Sequence, residues 1–365
     1  MSPKSKLFIN RPLPKRWRIK NGAYYYRVPP ADLDLWDGKQ DFRLGKTEAE
    51  AYKTWSKRLN AVDSDLSTMT KLMDRYLLEV IPGKAPKTQT SNRTSIGRLR
   101  PIFGAMQPAS IKPRHYNAYK HEALKKFGKT SVNHDLEVLS HLITMAVEWG
   151  AIDRNPLLGQ VKKHSTPPRQ RLVEDWEIDA ALNLSQPKDK RSARNVSIAH
   201  LYIQLKLMTG LRRGDILRLK LPQIKDDGIH VQPNKTAKTT GKRLIIDWDD
   251  KGELRALIDD ILRIPPRRIG DAPLFITNQG KPYIKDDGSA NAFDSLWQRF
   301  MDRVMDQTKI TDRFQERDLR AKAGSDKDTL QEASEFLAHS DTRITDRVYR
   351  RKPTHIKPLK RPGSE

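Results

Sequence analysis

The chain has no cysteine. Disulfides and cysteine-ligated zinc are therefore excluded, and the composition fits a reducing compartment. No run of about 18 apolar residues occurs, nor the apolar stretch of a secretory signal, so a soluble, intracellular protein is expected. Clustered Asp, Glu and His at metal-ligand spacing are lacking as well, which argues against a metal-dependent nuclease; neither a metal nor a cofactor is expected. Acidic residues are scarce beside basic ones: 45 Asp and Glu against 69 Lys and Arg give a formal charge of +24. Such an excess suits a polyanion, chiefly nucleic acid, through phosphate neutralisation and counterion release. A ribosomal or membrane-surface protein can be equally basic, so charge alone names no function.

What is present divides into three regions. At 365 residues, 36% of them hydrophobic, two or three globular domains are expected. The first, residues 1–62, opens with a basic arm (Lys4, Lys6, Arg11, Lys15, Arg16, Arg18, Lys20). Strands are predicted at Trp17–Lys20, at Tyr24–Val28 behind the Asn21-Gly22 turn, and at Phe42–Leu44 after Asp37-Gly38. Thr47 with Glu50 reads as a capping box opening a helix from Glu48 to about Leu59. A three-stranded sheet on one helix is too small for a large core and suits a binding module.

The second region, 63–168, reads as helical. Leu72, Tyr76, Leu77 and Val80 share a face that ends at Pro82-Gly83. Further helices are predicted at Ser91–Phe103, at Arg114–Phe127, and from a cap at Thr130 or Ser131 through Leu136, Leu139, Ile143, Ala146 and Val147 to Gly150. Lys162, Lys163 and the run Ser165 to Arg169 look like an exposed linker. The third region, 169–365, mixes α and β: a helical stripe of Val196, Leu201, Tyr202, Leu205 and Met208, strands at Ile229–Gln232 and Arg243–Trp248, helices from about Ala292 and a basic tail. The fold class is thus multidomain and mainly α with small β elements.

Opening a phosphodiester without metal or nucleotide needs a nucleophile, cations for the non-bridging oxygens and an acid for the departing oxygen. The third region offers these in order. Thr209-Gly210-Leu211-Arg212-Arg213-Gly214-Asp215 is followed by Asn234-Lys235-Thr236, then Arg317-Asp318-Leu319-Arg320, Leu337-Ala338-His339-Ser340, and Tyr349 in Arg347-Val348-Tyr349-Arg350-Arg351. This ordered set resembles the catalytic domain of the tyrosine recombinases, or phage integrases, over about residues 172–352. The resemblance implies that Arg212 and Arg320 clamp the scissile phosphate; guanidinium suits this because its planar fork bonds two oxygens and stays charged. It also implies that Tyr349 attacks and forms a 3′-phosphotyrosyl link, and that Lys235 protonates the leaving 5′ oxygen, with Lys238 as its rival. His339 bonds the phosphate or assists proton transfer, and Asp215 orients Arg212 by an i,i+3 contact. A helix from about Asp341 turns Ile344 and Val348 to the core and leaves Tyr349 beside Thr345.

Two departures stand out. His339 and Tyr349 are ten residues apart, one more than the common family spacing. Arg317 occupies the place of a usual histidine; arginine cannot serve as a base near neutral pH, so it adds positive charge or marks impaired cleavage. The helical second region resembles the core-binding domain of these enzymes. Leu13-Pro14, Tyr24-Tyr25-Tyr26-Arg27 and Phe42-Arg43-Leu44-Gly45 are similar to the arm-binding domain of lambda-type integrases, with Arg18, Lys20, Tyr26, Arg27 and Arg43 as DNA contacts; plain sheet packing competes for the tyrosines. The resemblance further implies a homotetramer on double-stranded DNA with core-type and arm-type sites, working in the bacterial cytoplasm with host DNA-bending proteins and an excision factor. A regulator or recombination accessory that has lost catalysis, and a resolvase of the same chemistry, are the alternatives.

Overall fold

In the computed structural model the described residues are 13–14, 16–30, 33, 36–62, 66–234, 241 and 243–353. The described residues are mainly helical with two small antiparallel sheets, and the chain divides into two compact units, Met1–Thr166 and Pro167–Glu365.

In the first unit, β1 (Trp17–Lys20), β2 (Ala23–Arg27) and β3 (Asp41–Gly45) pair in that order. Asn21 (φ 51°) and Gly22 (φ 72°) both take the left-handed conformation that a two-residue hairpin turn requires, which is why Asn-Gly marks it. The sheet buries Trp17, Tyr24, Phe42 and Leu44 against α1 (Glu48–Val62). The expected capping box is in place: Glu50 N–H donates to Thr47 Oγ1 at 3.2 Å, and the Glu50 carboxylate accepts Thr47 N–H at 3.3 Å. A second cluster joins α2 (Met69–Glu79), α3 (Pro86–Phe103), α4 (Pro113–Glu122) and α5 (Lys129–Glu148). The fully buried Asp135 of α5 fixes their mutual placement by accepting Arg98 of α3 at 2.6 and 2.9 Å and Tyr119 of α4 at 2.8 Å.

Several boundaries differ from the sequence expectation. α3 starts at Pro86, because proline suits the first helical turn, and α4 stops at Glu122, with Ala123–Lys125 forming a separate 3₁₀ turn. Thr130 and Ser131 do not cap α5; Gly128 holds the cap position. The exposed-linker expectation fails at Arg169, whose Nε donates to the buried Asp318 at 3.0 Å.

The second unit begins with α6 (Asp175–Leu182), α7 (Lys190–Thr209) and the one-turn α8 (Arg213–Ile216). The strands β4 (Ile224–Lys225), β5 (Gly228–Val231) and β6 (Leu244–Ile246) form the second sheet. After them come α9 (Glu253–Arg263), α10 (Asn291–Gln307), α11 (Glu316–Ser325), α12 (Leu330–Phe336) and α13 (Thr342–Ile344). Val196, Tyr202 and Leu205 of α7 enter one core with Leu257, Phe293, Trp297, Phe300 and Leu319, whereas Leu201 and Met208 are half-buried at its edge. Helices α6 and α9 and the strand β4 were not foreseen. For α9 the signal was in the sequence, since Leu254, Leu257, Ile258 and Ile261 recur at helical spacing and are buried.

Candidate active site

Gly210 makes the first turn of the site possible. It ends α7 at φ 61°, and a Cβ there would lie 2.5 Å from the Phe336 ring, so glycine both reverses the chain and admits Phe336. The reversal puts Arg212 at the start of α8, half-buried, and directs the Gly210 carbonyl to Arg320. Arg320, on α11, is 5% exposed. It donates to the carbonyls of Gly210 and of Leu337 (2.6 Å) and to His339 Nε2 at 3.2 Å. Protein acceptors thus fix the guanidinium plane, while its Nε is buried with no acceptor among the described residues.

A guanidinium is only a donor, so His339 Nε2 accepts. Its proton then sits on Nδ1, which donates to Thr345 Oγ1 at 2.7 Å. The imidazole packs on Tyr349 with ring centroids 4.7 Å apart, and the Arg320 guanidinium carbon is 5.3 Å from the Tyr349 ring centre. Burial, and after it the nearby Arg212 charge, depresses the Arg320 pKa to about 10, against the Tyr349 phenol and the Asp215 carboxylate, which favour the cation. Arg320 therefore remains charged at neutral pH. Two guanidinium groups that repel each other, one with an unmatched buried N–H, make a site whose complement is an anion with several acceptor oxygens.

The structure brings Arg212, Arg320, His339 and Tyr349 together. Asp215 is 7% exposed but does not use its carboxylate on Arg212. That contact is made by backbone, Asp215 N–H to Arg212 C=O at 2.9 Å, while Oδ1 accepts Asn234 N–H at 2.9 Å and ties the start of the hairpin turn to the site. Lys235 and Lys238 lie outside the described residues. Arg317 is exposed and, among the described residues, joins no hydrogen bond or ion pair, although it shares α11 with Arg320.

No family model matches the chain. The integrase of Escherichia phage HK022 is 26% identical over 238 residues, 62% of this chain and 64% of that protein. A putative integrase/recombinase of Haemophilus influenzae is 25% identical over 198 residues, 50% of this chain and 64% of its own. The chain thus spans just under two thirds of the length of these curated relatives. Among solved structures, the lambda integrase tetramer bound to a Holliday junction superposes with a TM-score of 0.62 at 18% identity, covering 96% of this chain and 99% of that one. The Tn1549 transposon integrase in complex with transposon right-end DNA gives 0.59 at 14% identity, covering 76% and 93%. In sequence the chain is similar to integrases, and in fold it is similar to lambda integrase.

The local winding gives the spacing between His339 and Tyr349 a physical explanation. Residues Thr345–Tyr349 form a π turn, in which Arg350 N–H donates to the Thr345 carbonyl five residues back at 3.0 Å. A π turn is an α-turn with one residue added, so the extra residue relative to the family spacing is absorbed locally. The winding also corrects the expected helix face: Ile344 is 40% exposed, Val348 is half-buried, and it is Thr345 that is fully buried beneath His339.

On the small sheet the outcome is mixed. Tyr26 is half-buried, its ring tilted against Trp36 at 4.7 Å and edge-on to Trp55 at 6.1 Å, so packing accounts for it at least in part. Lys20, Arg27 and Arg43 are exposed. Arg18, Tyr25 and Arg43 form one cross-strand row, in which Arg18 is ion-paired with Asp41. Sequence reasoning assigned no role to Ser325, to Thr345 or to the pair Asp318–Arg351; Asp318 and Arg351 lie inside quoted motifs, but their tertiary pairing does not show in the sequence.

Proposed function

We propose that the chain is a site-specific recombinase that breaks and rejoins double-stranded DNA through Tyr349. One observation carries the reading: a buried, protein-oriented guanidinium, Arg320, lies against both the Tyr349 ring and His339 and within electrostatic reach of Arg212. Arg212 and Arg320 hold the non-bridging oxygens of the scissile phosphate. The Tyr349 hydroxyl gives its proton to solvent water as its oxygen forms a bond to phosphorus, the bond to the 5′ oxygen breaks, and that oxygen takes a proton from Lys235 or Lys238. The 3′-phosphotyrosyl link conserves the phosphodiester's energy, so a 5′ hydroxyl rejoins the strand by the reverse step. His339, with its proton on Nδ1, supports the clamp through Arg320, and Arg317 adds charge near the DNA without acting as a base.

The relatives named integrases support insertion and excision of a mobile genome as the biological setting. The lambda integrase tetramer on a Holliday junction supports a homotetramer on paired core-type sites. In this reading residues 1–62 bind arm-type sites through Arg18, Lys20, Arg27 and Arg43, residues 63–168 grip core DNA, and residues 169–365 carry the chemistry in the bacterial cytoplasm, with host DNA-bending proteins and an excision factor as partners. Linking the two DNA-binding modules raises avidity through effective concentration.

A nicked suicide substrate tests the reading. The wild-type chain should trap a covalent protein–DNA adduct in excess EDTA, and Tyr349→Phe should trap none. An adduct with Tyr349→Phe defeats the assignment of the nucleophile.

A further inference from the structure

The segment that carries Tyr349 has little apolar burial to hold it. Thr342, Arg343, Ile344, Asp346 and Arg347 are exposed, so some other interaction must fix the backbone. Ser325, the last residue of α11 and 3% exposed, supplies one: its hydroxyl donates to the Tyr349 carbonyl at 2.7 Å and accepts Arg351 N–H at 2.8 Å. Asp318, fully buried on the same helix, supplies another. It accepts Arg351 Nη1 at 2.8 Å and Arg169 Nε at 3.0 Å, while Gln315 N–H caps it at 2.8 Å. The Arg351 side chain, 5% exposed, also donates to the Arg171 carbonyl at 2.6 Å and to the Val348 carbonyl at 3.2 Å. Gly324 completes the fit: a Cβ there would lie 2.7 Å from Leu337 and 3.6 Å from the Tyr349 Cβ.

We propose that Ser325 and the Asp318–Arg351 pair are positioning residues that hold the Tyr349 backbone against α11, the helix that bears Arg320. The inference rests on the reading of Tyr349 as nucleophile. Its consequence is that one helix sets the distance from the nucleophile's backbone to the guanidinium that binds the phosphate. Neither group touches the reacting atoms. Ser325 has a single proton, committed to the Tyr349 carbonyl, and both Asp318 oxygens are occupied by guanidinium and backbone donors.

The test is single-turnover cleavage of a nicked suicide substrate by the full chain, with DNA affinity and thermal unfolding measured on the same variants. Ser325→Ala should cleave about 10- to 100-fold more slowly at saturating DNA, the size expected when a reacting group is displaced by about an ångström. Its DNA affinity should match wild type, and the chain should stay folded at the assay temperature although its unfolding midpoint falls with the loss of these two bonds. Replacing the 5′ oxygen by sulfur removes the need for a proton donor but not for a placed nucleophile, so this substrate should leave the defect in place. Arg351→Met should show the same pattern, and where it fails to fold, Ser325→Ala alone decides. A wild-type cleavage rate for Ser325→Ala, a defect confined to affinity, or full rescue by the sulfur substrate overturns the proposal. A wild-type chain that forms no adduct overturns the nucleophile reading instead, so the two failures are distinct.

Discussion

Arg320 ends one of its N–H bonds on the carbonyl of Gly210, 110 residues earlier in the chain. The bond couples the turn that presents Arg212 to the helix that presents Arg320, so the two arginine motifs meet through backbone before any DNA arrives. Preorganisation of this kind matters because donors already aimed at a phosphate need no reorganisation during the reaction.

The two arginines should therefore differ in what they do for the fold. Arg212 is half-buried, and its side chain makes no hydrogen bond or ion pair among the described residues. Arg212→Ala is expected to slow cleavage about 10³-fold, by analogy with arginines in phosphoryl transfer, with stability changed by less than about 0.5 kcal/mol. Arg320→Ala should lose cleavage to a similar degree and also destabilise the chain by about 1–3 kcal/mol, because it strands the buried carbonyls of Gly210 and Leu337. Denaturant unfolding beside the suicide-substrate assay checks this. Equal stability of the two variants would contradict the structural half of the argument.

Local signals were legible wherever chemistry and conformation sit within a few residues. Asn21-Gly22, the Thr47–Glu50 box and the glycine at 210 each announce their backbone, and the order of the Arg, His and Tyr motifs announces the site. What stayed hidden is tertiary. A lone serine such as Ser325 has no periodicity, and its two bonds reach 24 and 26 residues along the chain. Asp318 gathers Arg169 and Arg351 from 149 and 33 residues away, which no window of sequence can reveal. Tyr26 is ambiguous in sequence because a tyrosine run on a small sheet fits packing and DNA contact alike, and the structure places its ring against Trp36 and Trp55.

Beneath the site, Glu316 of α11 accepts Lys206 of α7 and the Tyr202 hydroxyl, the latter at 2.9 Å. Burial is the largest influence and raises the Glu316 carboxyl, but the Lys206 ammonium, the Tyr202 hydroxyl and the Arg213 charge together hold the group below its ordinary range. A carboxylate with a depressed folded pKa contributes stability above its unfolded value, near 4.5, and loses it as pH falls through the folded value. Wild-type stability should therefore fall as pH drops below about 4.5, and Glu316→Gln should flatten that part of the profile. Lys206→Met at neutral pH leaves the carboxylate buried without its cation and should cost about 3–5 kcal/mol. The double variant Lys206→Met/Glu316→Gln should recover part of this loss. A double variant no more stable than Lys206→Met would show that the pair is not the source of the cost.

The π turn gives a test of register. Its two ends are pinned, Thr345 by His339 at 2.7 Å and Tyr349 by Ser325 at 2.7 Å, while Asp346 and Arg347 between them are exposed. Deleting Asp346 removes the one added residue from the π turn and lets it close as an α-turn, with both anchors kept. Adduct formation should then stay within about tenfold of wild type, since the nucleophile keeps its anchor on α11. Deleting Ile344 shortens the chain between His339 and Thr345, outside the turn, and draws their hydrogen bond apart. That variant should lose about 10²-fold in cleavage because the imidazole and the phenol no longer share one geometry. Equal activity of the two deletions would mean that the winding from 345 to 349 plays no part in seating Tyr349.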